Sequence, residues 1–371
     1  AAGRVLLAAL CATLPGRSVA AEDTWPAPAR VVAVGDVHGD FEAFVTVLRA
    51  AALVDDKLRW VGGQAHLVQT GDRLDRGGES RKVMDLLMRL QKEAGKAGGR
   101  VHALTGNHEA MNMLGDLRYV APEEFTAFAG GDSARYRDAL WEQRVKGRRD
   151  KGEAAPSEAD RRLFDEQHPL GFVEHRLAFA PKGTYGAWIA RANAVIKLGD
   201  SLFLHGGLAP KYADFSLADL NERVRRELGE ADPMTAVVSQ DQEGPLWYRG
   251  LAQGSPDLIP HLEAVLARHG AKRMVIGHTP TEGLVLPRYG GRVVLIDVGL
   301  AKAYGGPPAA LVLEEGRTFA LHRGRKLPLP EAEGEALLGY VREVAALEPD
   351  SAKLKALVSR LEGASVAPSS R

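Results

Sequence analysis

The sequence predicts an α/β protein in which two mixed β-sheets pack together between layers of helices. In its first half, short apolar runs alternate with polar turns and amphipathic helical patterns, which is typical of βαβ units in a parallel sheet. In its second half, apolar runs face each other across tight turns, which indicates antiparallel strands. A chain of 371 residues with 45% hydrophobic and 26% charged residues can bury the large core that such a fold requires.

The overall charge gives no sign of a polyanionic partner. Basic and acidic residues number 48 each, so the chain as a whole has no electrostatic bias towards nucleic acid or a membrane surface. Only 6% of the residues are aromatic, which disfavours a platform for stacking nucleic-acid bases. We therefore expect no nucleic-acid partner.

Residues 1–21 show the pattern of a secretory signal peptide. A basic residue, an apolar run, a helix-breaking pair and a group of small residues follow one another, at Arg4, 5–14, Pro15-Gly16 and 18–21. The apolar run is too short to span a bilayer, so the pattern predicts export, to a periplasm or outside the cell, with no integral membrane segment after cleavage. Cleavage after Ala20 or Ala21 would also remove Cys11, the only cysteine, so no disulfide is expected. A frayed N-terminal helix and a lipidated Cys11 are the alternatives.

Three units of strand and polar turn follow a Pro-containing linker at 25–29. Their apolar runs lie at 31–34, 65–69 and 101–104, and each run ends in a glycine followed by polar residues. Asp40 can cap the first helix, and the second helix begins near Glu79. Because ligands bind at the carboxyl ends of strands in such sheets, the three turns mark a candidate site.

The turn at 71–77 concentrates charge between the second strand and its helix. It carries two carboxylates, Asp72 and Asp75, and two guanidinium groups, Arg73 and Arg76. A charged turn is most often a solvated loop, but holding these groups together is costly unless an ion neutralises them. The turn therefore predicts a carboxylate for a metal ion and an arginine for phosphate.

The second half of the chain supplies hairpins and two more polar strand ends. The hairpins are predicted at 194–198 with 201–204, and at 310–313 with 318–322. The first hairpin leads into His205, the run at 274–276 leads into His278, and the run at 292–296 ends at Asp297.

Two further segments differ from the rest. Residues 112–190 have no strand pattern and are dense in charge from 141 to 167, so we interpret them as a mostly helical insertion that lies over the site. Residues 326–371 are predicted to form a helical tail, with amphipathic patterns at 336–347 and 353–361.

Five strand ends carry residues that can bind metal. All of these residues lie within two positions of a glycine: Asp36, His38, Asp72, Asn107, His108, His205 and His278. A lone histidine near a core is usually structural, but clustering the polar groups of five strand ends at one sheet edge would cost desolvation with no apolar gain unless a metal stabilised them. Mixed carboxylate, imidazole and amide ligands suit Mn²⁺, Fe or Zn²⁺ better than Ca²⁺.

Five motifs in this order and spacing resemble those of the calcineurin-like metallophosphoesterases. They are Gly-Asp-Val-His-Gly (35–39), Gly-Asp-Arg-Leu-Asp-Arg-Gly (71–77), Gly-Asn-His-Glu (106–109), His-Gly-Gly (205–207) and Gly-His-Thr (277–279). Asp-Arg-Gly with Gly-Asn-His-Glu is similar to the phosphoprotein phosphatase superfamily, and residues 106–120 and 244–250 most resemble the Shewanella-like protein phosphatases. The resemblance covers about residues 30–325 and implies a catalytic domain with a metallophosphoesterase-type αββα sandwich.

The resemblance also implies two divalent metal ions and a set of ligands. Asp36 and His38 would hold one ion, Asn107, His205 and His278 would hold the other, and Asp72 would bridge both. A hydroxide that bridges the ions would then attack phosphorus in line, without a phospho-enzyme.

Five residues would bind the substrate, act on it or orient the acid in this pattern. His108 would protonate the leaving oxygen, Asp75 would orient His108, and Arg76 would grip the phosphate oxygens together with Asn107. Arg249, in Trp-Tyr-Arg at 247–249, is the candidate for a second arginine, and a surface salt bridge is its alternative role.

The sequence departs from the serine/threonine phosphatases of the superfamily in one respect. The C-terminal loop that brings a tyrosine near the site has no match after Asp297, and Tyr304 is a candidate stand-in. A phosphorylated protein or peptide is thus the expected substrate. The sequence does not decide whether the phosphate is carried by tyrosine or by serine and threonine, and it does not indicate the oligomeric state.

Two other functions were weighed against this interpretation. A phosphodiesterase or dinucleoside polyphosphate hydrolase shares the five motifs, and could use a basic channel made by Arg144, Arg148, Arg149, Arg161 and Arg162. The acids between these arginines favour a solvated face instead. A catalytically dead binding module is discarded because no motif residue is missing.

Overall fold

A computed structural model describes residues 22–366 of the chain. The predicted signal peptide at 1–21 lies outside the described residues, so it stays a prediction. No helix within the described part is long and apolar enough to cross a membrane.

Two six-stranded mixed sheets form the centre of the molecule. In chain order the strands are β1 (Thr24–Trp25), β2 (Arg30–Val34), β3 (His66–Gln69), β4 (Arg100–Ala103), β5 (Val195–Leu198), β6 (Ser201–Leu204), β7 (Arg273–Ile276), β8 (Leu286–Arg288), β9 (Val293–Leu295), β10 (Ala309–Glu314), β11 (Arg317–His322) and β12 (Arg325–Pro328). The first sheet has the order β12-β11-β10-β2-β3-β4, and the second has the order β1-β5-β6-β7-β9-β8. Strands β2, β3 and β4 are parallel to one another, as are β6, β7 and β9.

Helices occupy the rest of the chain. They are α1 (Phe41–Ala50), α2 (Ser80–Lys96), α3 (Asn107–Leu114), α4 (Pro122–Phe128), α5 (Ser133–Asp150), α6 (Glu158–Gln167), α7 (Phe172–Phe179), α8 (Gly186–Ile189), α9 (Leu217–Glu230), α10 (Gly250–Gln253), α11 (Ile259–Arg268), α12 (Glu335–Leu347) and α13 (Ala352–Val366). The expected cap of α1 is present, because the Ala43 backbone N–H donates to Asp40 Oδ1 at 3.1 Å.

The two sheets pack face to face, which confirms the predicted αββα architecture. Phe203 of β6 lies in one buried cluster with Val32 of β2, so these faces form the core between the sheets. Its neighbour Leu202 points the other way, into a second cluster with Leu220 of α9 and Leu262 of α11. The alternation along β6 therefore fills a core on each side of the second sheet.

Three strands were missed by the sequence patterns. The segment at 25–29, predicted to be a linker, begins with the end of β1, which pairs in parallel with β5. Strand β8 is only three residues long and contains a proline. Strand β12 extends the first sheet from Arg325 to Pro328, into the segment predicted to be a helical tail. All three are edge strands of their sheets, where short length and proline are tolerated.

The tail helices pack on the sandwich. Tyr340, Val341 and Val344 of α12 are buried in the same cluster as Phe203, together with Leu354 and Leu357 of α13. The buried Tyr340 hydroxyl donates to the backbone oxygen of Val285 at 2.7 Å, so its polar atom is satisfied inside the core.

The insertion is helical, from α4 to α8, and has a small aromatic core of its own. The rings of Phe125, Phe128 and Phe179 surround the buried imidazole of His175 at 4.6–5.2 Å between ring centroids. Burial lowers the pKa of His175 to about 3, so the ring is neutral and packs as an aromatic side chain.

Glu124 of α4 fastens the insertion to the start of α2. The Ser80 backbone N–H donates to Glu124 Oε1 at 2.6 Å, which supplies the cap that Glu79 does not provide. Burial raises the pKa of Glu124 to about 7, since the carboxylates of Asp75 and Glu79 add to it and the Ser80 hydrogen bonds only partly oppose it.

Replacing Glu124 by glutamine should change how stability depends on pH. The carboxyl group binds its proton more tightly in the folded chain than at its ordinary value of 4.5, so its contribution is complete below about pH 4.5 and is lost as the pH rises through 7. Glu124→Gln keeps an oxygen for Ser80 and cannot ionise. We expect equal stability near pH 4, and a variant more stable than the wild type near pH 8, by at most about 3 kcal/mol.

Urea unfolding of both proteins at the two pH values measures this difference. The exposed neighbour gives the control, because Glu123→Gln should leave the pH dependence unchanged. A Glu124→Gln protein that is no more stable than the wild type near pH 8 would contradict the burial argument.

Candidate active site

The metal-ligand candidates meet where the two sheets end side by side. Strands β2, β3 and β4 of the first sheet deliver Asp36, Asp72 and Asn107, whereas β6 and β7 of the second sheet deliver His205 and His278. His205 Nε2 lies 3.2 Å from Asp72 Oδ2. The His278 backbone N–H donates to Asp36 Oδ1 at 3.0 Å, across 242 positions of sequence. The sequence pattern suggested the edge of one sheet, but the site needs the edges of both.

The glycines of the motifs allow this close approach. A Cβ atom on Gly277 would lie 2.5 Å from Asp36 Oδ1, and one on Gly106 would lie 2.3 Å from Asp72 Oδ1. A Cβ atom on Gly71 would lie 2.6 Å from the Gly106 backbone. Glycine is therefore required at these positions for space beside the carboxylates.

Five site residues have left-handed backbone conformations. Their φ angles are 46° for His38, 56° for Asp72, 70° for Asp75, 68° for Arg76 and 64° for His278. Such conformations are unfavourable for residues other than glycine and concentrate at functional sites, where the surroundings hold them in place. Here the backbone N–H groups of Val37 and His38 both donate to the backbone oxygen of Asp72, at 2.9 and 3.0 Å.

A buried carboxylate, Glu109, joins two of the turns. It accepts the backbone N–H groups of Asp72 (2.9 Å), Arg73 (2.8 Å) and Gly106 (2.7 Å), and Arg73 Nε donates to it at 3.2 Å. Glu109 is the last residue of the Gly-Asn-His-Glu motif, but the motif alone does not indicate its role. An acid at the third position of a helix that begins in a ligand motif was the available signal.

Backbone carbonyls set the tautomers of two histidines. His38 Nδ1 lies 3.1 Å from the Leu74 oxygen, and His205 Nδ1 lies 3.1 Å from the Thr70 oxygen. A carbonyl only accepts, so each Nδ1 carries the hydrogen and each Nε2 presents a lone pair to the site. Burial lowers the pKa of His38 to about 4, which also keeps that ring neutral and able to bind metal.

Acceptor atoms converge in a way that fits bound cations. His205 Nε2 faces Asn107 Oδ1 at 2.9 Å and Asp72 Oδ2 at 3.2 Å, which brings three lone pairs together. His278 Nε2 is buried without a hydrogen-bond partner in the described part of the chain, and burial, with His205 and Arg249, lowers the pKa of His278 to about 2. This arrangement is repulsive unless a positive ion lies between the atoms.

The potential ligand atoms form two groups that share Asp72. One group contains His38, Asp72 and His108, the other contains Asp72, His205 and His278, and in each the atoms lie within 4.8 Å of one another. Asp36 lies beside both groups, 3.9 Å from His38 Nε2 and 3.9 Å from His205 Nδ1. The geometry thus places all six predicted metal ligands together, and adds His108 to the first group.

The carboxylates of the site perturb one another. Burial raises the pKa of Asp36 well above its usual range, and the charges of Asp297 and Asp72 add to this effect. Burial raises the pKa of Asp297 to about 6 as well.

Asp297 also lies at the site. The sequence predicts that it ends a strand but does not indicate a role for it. It belongs to the buried acids that a cation would neutralise, and its Oδ1 accepts the Gly299 backbone N–H at 3.0 Å.

A chain of hydrogen bonds orients His108. His108 Nδ1 lies 2.6 Å from Asp75 Oδ2, and Asn112 Nδ2 donates to Asp75 Oδ1 at 2.9 Å. Burial alone would lower the pKa of His108, but the charge of Asp72 and the hydrogen bond and charge of Asp75 raise it. The ring is thereby held with Nε2 towards the ligand groups, 3.8 Å from Asp72 Oδ2.

Two arginines and two tyrosines border the ligand groups. The Arg76 guanidinium carbon lies 4.0 Å from the ring centroid of Tyr119 and 5.9 Å from that of Tyr304. The Tyr304 ring lies 5.4 Å from that of His38. Arg249 Nη1 donates to the His278 oxygen at 2.7 Å and to Thr279 Oγ1 at 3.1 Å, so it contacts the site rather than a surface carboxylate. Tyr119 was not singled out from the sequence.

Fold and site together define a metallophosphoesterase. A sequence profile of the calcineurin-like phosphoesterases matches residues 29–282, so the chain belongs to that family and is a hydrolase of phosphate esters. Its relatives include Shewanella-like protein phosphatase 2 of Arabidopsis thaliana, 31% identical over 74% of this chain and 72% of that protein. An uncharacterized protein of Schizosaccharomyces pombe is 35% identical over 81% of this chain and 83% of its own length.

A solved structure agrees with this assignment. The chain is similar to the cold-active protein-tyrosine phosphatase of a psychrophilic Shewanella species, with a TM-score of 0.63 and 26% identity. The match covers 83% of this chain and 82% of that one.

Substituting Gly106 by alanine tests the crowding beside Asp72. The φ angle of Gly106 is −103°, which alanine adopts freely, so any effect comes from the added methyl group against Asp72. Displacing the shared carboxylate should weaken Mn²⁺ binding by about 10- to 100-fold, as measured by calorimetric titration of metal-free protein.

Gly95→Ala is the matched control, because a Cβ atom at Gly95 in α2 meets no atom within 4 Å. That variant should bind Mn²⁺ normally and be unchanged or slightly more stable. Normal Mn²⁺ affinity in Gly106→Ala would show that the carboxylate has room to move.

Proposed function

We propose that the protein is a dimetal-dependent phosphomonoesterase that acts on phosphorylated proteins or peptides. The observation that carries this proposal is the pair of buried ligand groups that share Asp72, with an oriented His108 beside them. One ion would be held by Asp36, His38 and Asp72, and the other by Asp72, Asn107, His205 and His278. Such ions, Mn²⁺ or Fe and Zn²⁺, lower the pKa of a water molecule and neutralise charge on the phosphoryl oxygens.

His108 is the proposed general acid. Its Nδ1 hydrogen is held by Asp75, which leaves Nε2 as the atom that can give a proton to the leaving oxygen. Asp75 is fixed in turn by Asn112, so the ring cannot turn away without breaking its hydrogen bond to a carboxylate that is itself held in place. This arrangement favours the protonated ring while substrate is bound.

Arg76 and Arg249 are the proposed phosphate ligands. Arg76 is exposed and stacks on Tyr119, and no carboxylate of residues 22–366 forms an ion pair with it. Its charge is therefore available to an anion. Arg249 is fixed by the oxygen of His278, and Tyr304 completes the border next to His38.

Ion pairs weaken the case for a diester channel in the insertion. Two of the five arginines that could form such a channel are paired with acids of the insertion itself: Arg161 with Asp138 and Asp165, and Arg148 with Glu153. A channel for the second substituent of a phosphodiester would need unpaired positive charge. The names of the relatives, protein phosphatases and a protein-tyrosine phosphatase, support a phosphoprotein substrate. Export through residues 1–21 is part of the same proposal.

The test uses metal-free protein reloaded with Mn²⁺ on four substrates. These are a phosphotyrosine peptide, a phosphoserine peptide, a bis-substituted phosphodiester and diadenosine tetraphosphate. We expect turnover of the peptides, and none with metal removed. Activity confined to the diester or the dinucleotide would refute the monoesterase proposal.

The role of His108 has its own signature. His108→Gln should lower kcat for the phosphoserine peptide by about 10²- to 10⁴-fold, because the serine alkoxide cannot leave without a proton. The loss should be much smaller for p-nitrophenyl phosphate, whose leaving group departs as an anion. His269→Gln, on the half-buried ring after α11, serves as the control and should change neither rate. Equal losses on both substrates would indicate that His108 binds metal instead.

A further inference from the structure

Tyr119 contacts both groups that would act on the substrate. Its ring centroid lies 5.2 Å from that of His108 and 4.0 Å from the guanidinium carbon of Arg76. Its backbone oxygen also accepts the Arg76 N–H at 3.0 Å. The residue is half-buried, so part of its ring faces solvent at the border of the site.

These contacts fix where Tyr119 lies relative to a bound ester. The ester oxygen must lie next to the acid, His108, and the phosphoryl oxygens next to Arg76. The group attached through that ester oxygen then extends on the His108 side. The Tyr119 ring contacts both His108 and Arg76, whereas the Tyr304 ring packs on His38 and lies 5.9 Å from the guanidinium carbon of Arg76.

We propose that Tyr119 is a specificity-determining residue whose ring forms a wall of the leaving-group subsite and favours aryl over alkyl phosphate esters. This inference rests on the proposed phosphomonoesterase function. An aryl leaving group would pack against the ring in an offset or edge-to-face geometry, whereas an alkyl group would gain only ordinary apolar contact. Aromatic pairs of this kind change binding by about 2- to 13-fold beyond the area they bury.

Tyr119 also has an effect that does not depend on the leaving group. Its ring supports the guanidinium group of Arg76, for which residues 22–366 provide no ion-pair partner. Removing the ring should therefore raise KM for all substrates that carry a phosphate. The specificity effect is separable because it appears only in the ratio of kcat/KM between aryl and alkyl esters.

The test compares two peptides of one sequence, one with phosphotyrosine and one with phosphoserine. The Mn²⁺-loaded full chain is assayed as wild type, Tyr119→Phe, Tyr119→Leu and Tyr119→Met. We expect Leu and Met to lower the phosphotyrosine/phosphoserine ratio of kcat/KM by about 2- to 13-fold, and Phe to keep the ratio of the wild type. Two nonaromatic variants are used so that the test can still be made if one of them does not fold.

Tyr136→Leu is the matched control. Tyr136 lies on α5, and its ring also contacts an arginine, Arg135, at 4.9 Å. Its loss should leave the ratio unchanged. If both nonaromatic variants of Tyr119 lower the two activities equally, the subsite inference is overturned while the phosphomonoesterase proposal stands. If the wild type hydrolyses neither peptide, both are overturned.

Discussion

The carboxylate of Glu109 is the interaction on which the geometry of the site depends. It collects three backbone N–H groups from the turn after β3 and the start of α3, and it neutralises the fully buried Arg73. Without it, those N–H groups and the Arg73 charge would lie unpaired in the core, which is among the most destabilising changes a core can suffer. Because one carboxylate ties both turns together, Asp72, Asn107 and His108 form a single rigid unit.

A rigid unit of this kind can hold groups that would otherwise separate. Residues with positive φ angles, neutral imidazoles and buried acids lie close together, and the acids Asp36 and Asp297 are destabilised by burial and by neighbouring carboxylates unless a cation binds. Burial of apolar side chains in the two cores on either side of the second sheet offsets the free-energy cost of folding such a site. Ligands that bind only the folded chain stabilise it by mass action, so metal binding and folding are coupled here.

Local sequence patterns were sufficient to find the strand ends but not the packing between them. An apolar run followed by glycine and a metal-binding residue is a local signal, and it located Asp36, Asp72 and His278 correctly at strand ends. Asp297 and Glu109 were overlooked because each acts through tertiary contacts that no spacing reveals. For the same reason the site was expected at one sheet edge. The edge strands β1 and β12 were not predicted because they are short or contain proline.

The insertion contributes residues to the border of the site. Tyr119 supplies the backbone oxygen that accepts the Arg76 N–H and the ring that supports the Arg76 guanidinium group. Glu124 supplies the carboxylate that caps α2, the helix that follows Arg76. The sandwich supplies the candidate metal ligands, which are tied to both sheets, so we expect their substitution to disrupt the proposed centre. Side chains of the insertion are free of that constraint, since loops and insertions accept substitution more readily than a core does. Within this fold, then, the proposed chemistry depends on the strand ends, and the proposed choice of substrate depends on Tyr119 in the insertion.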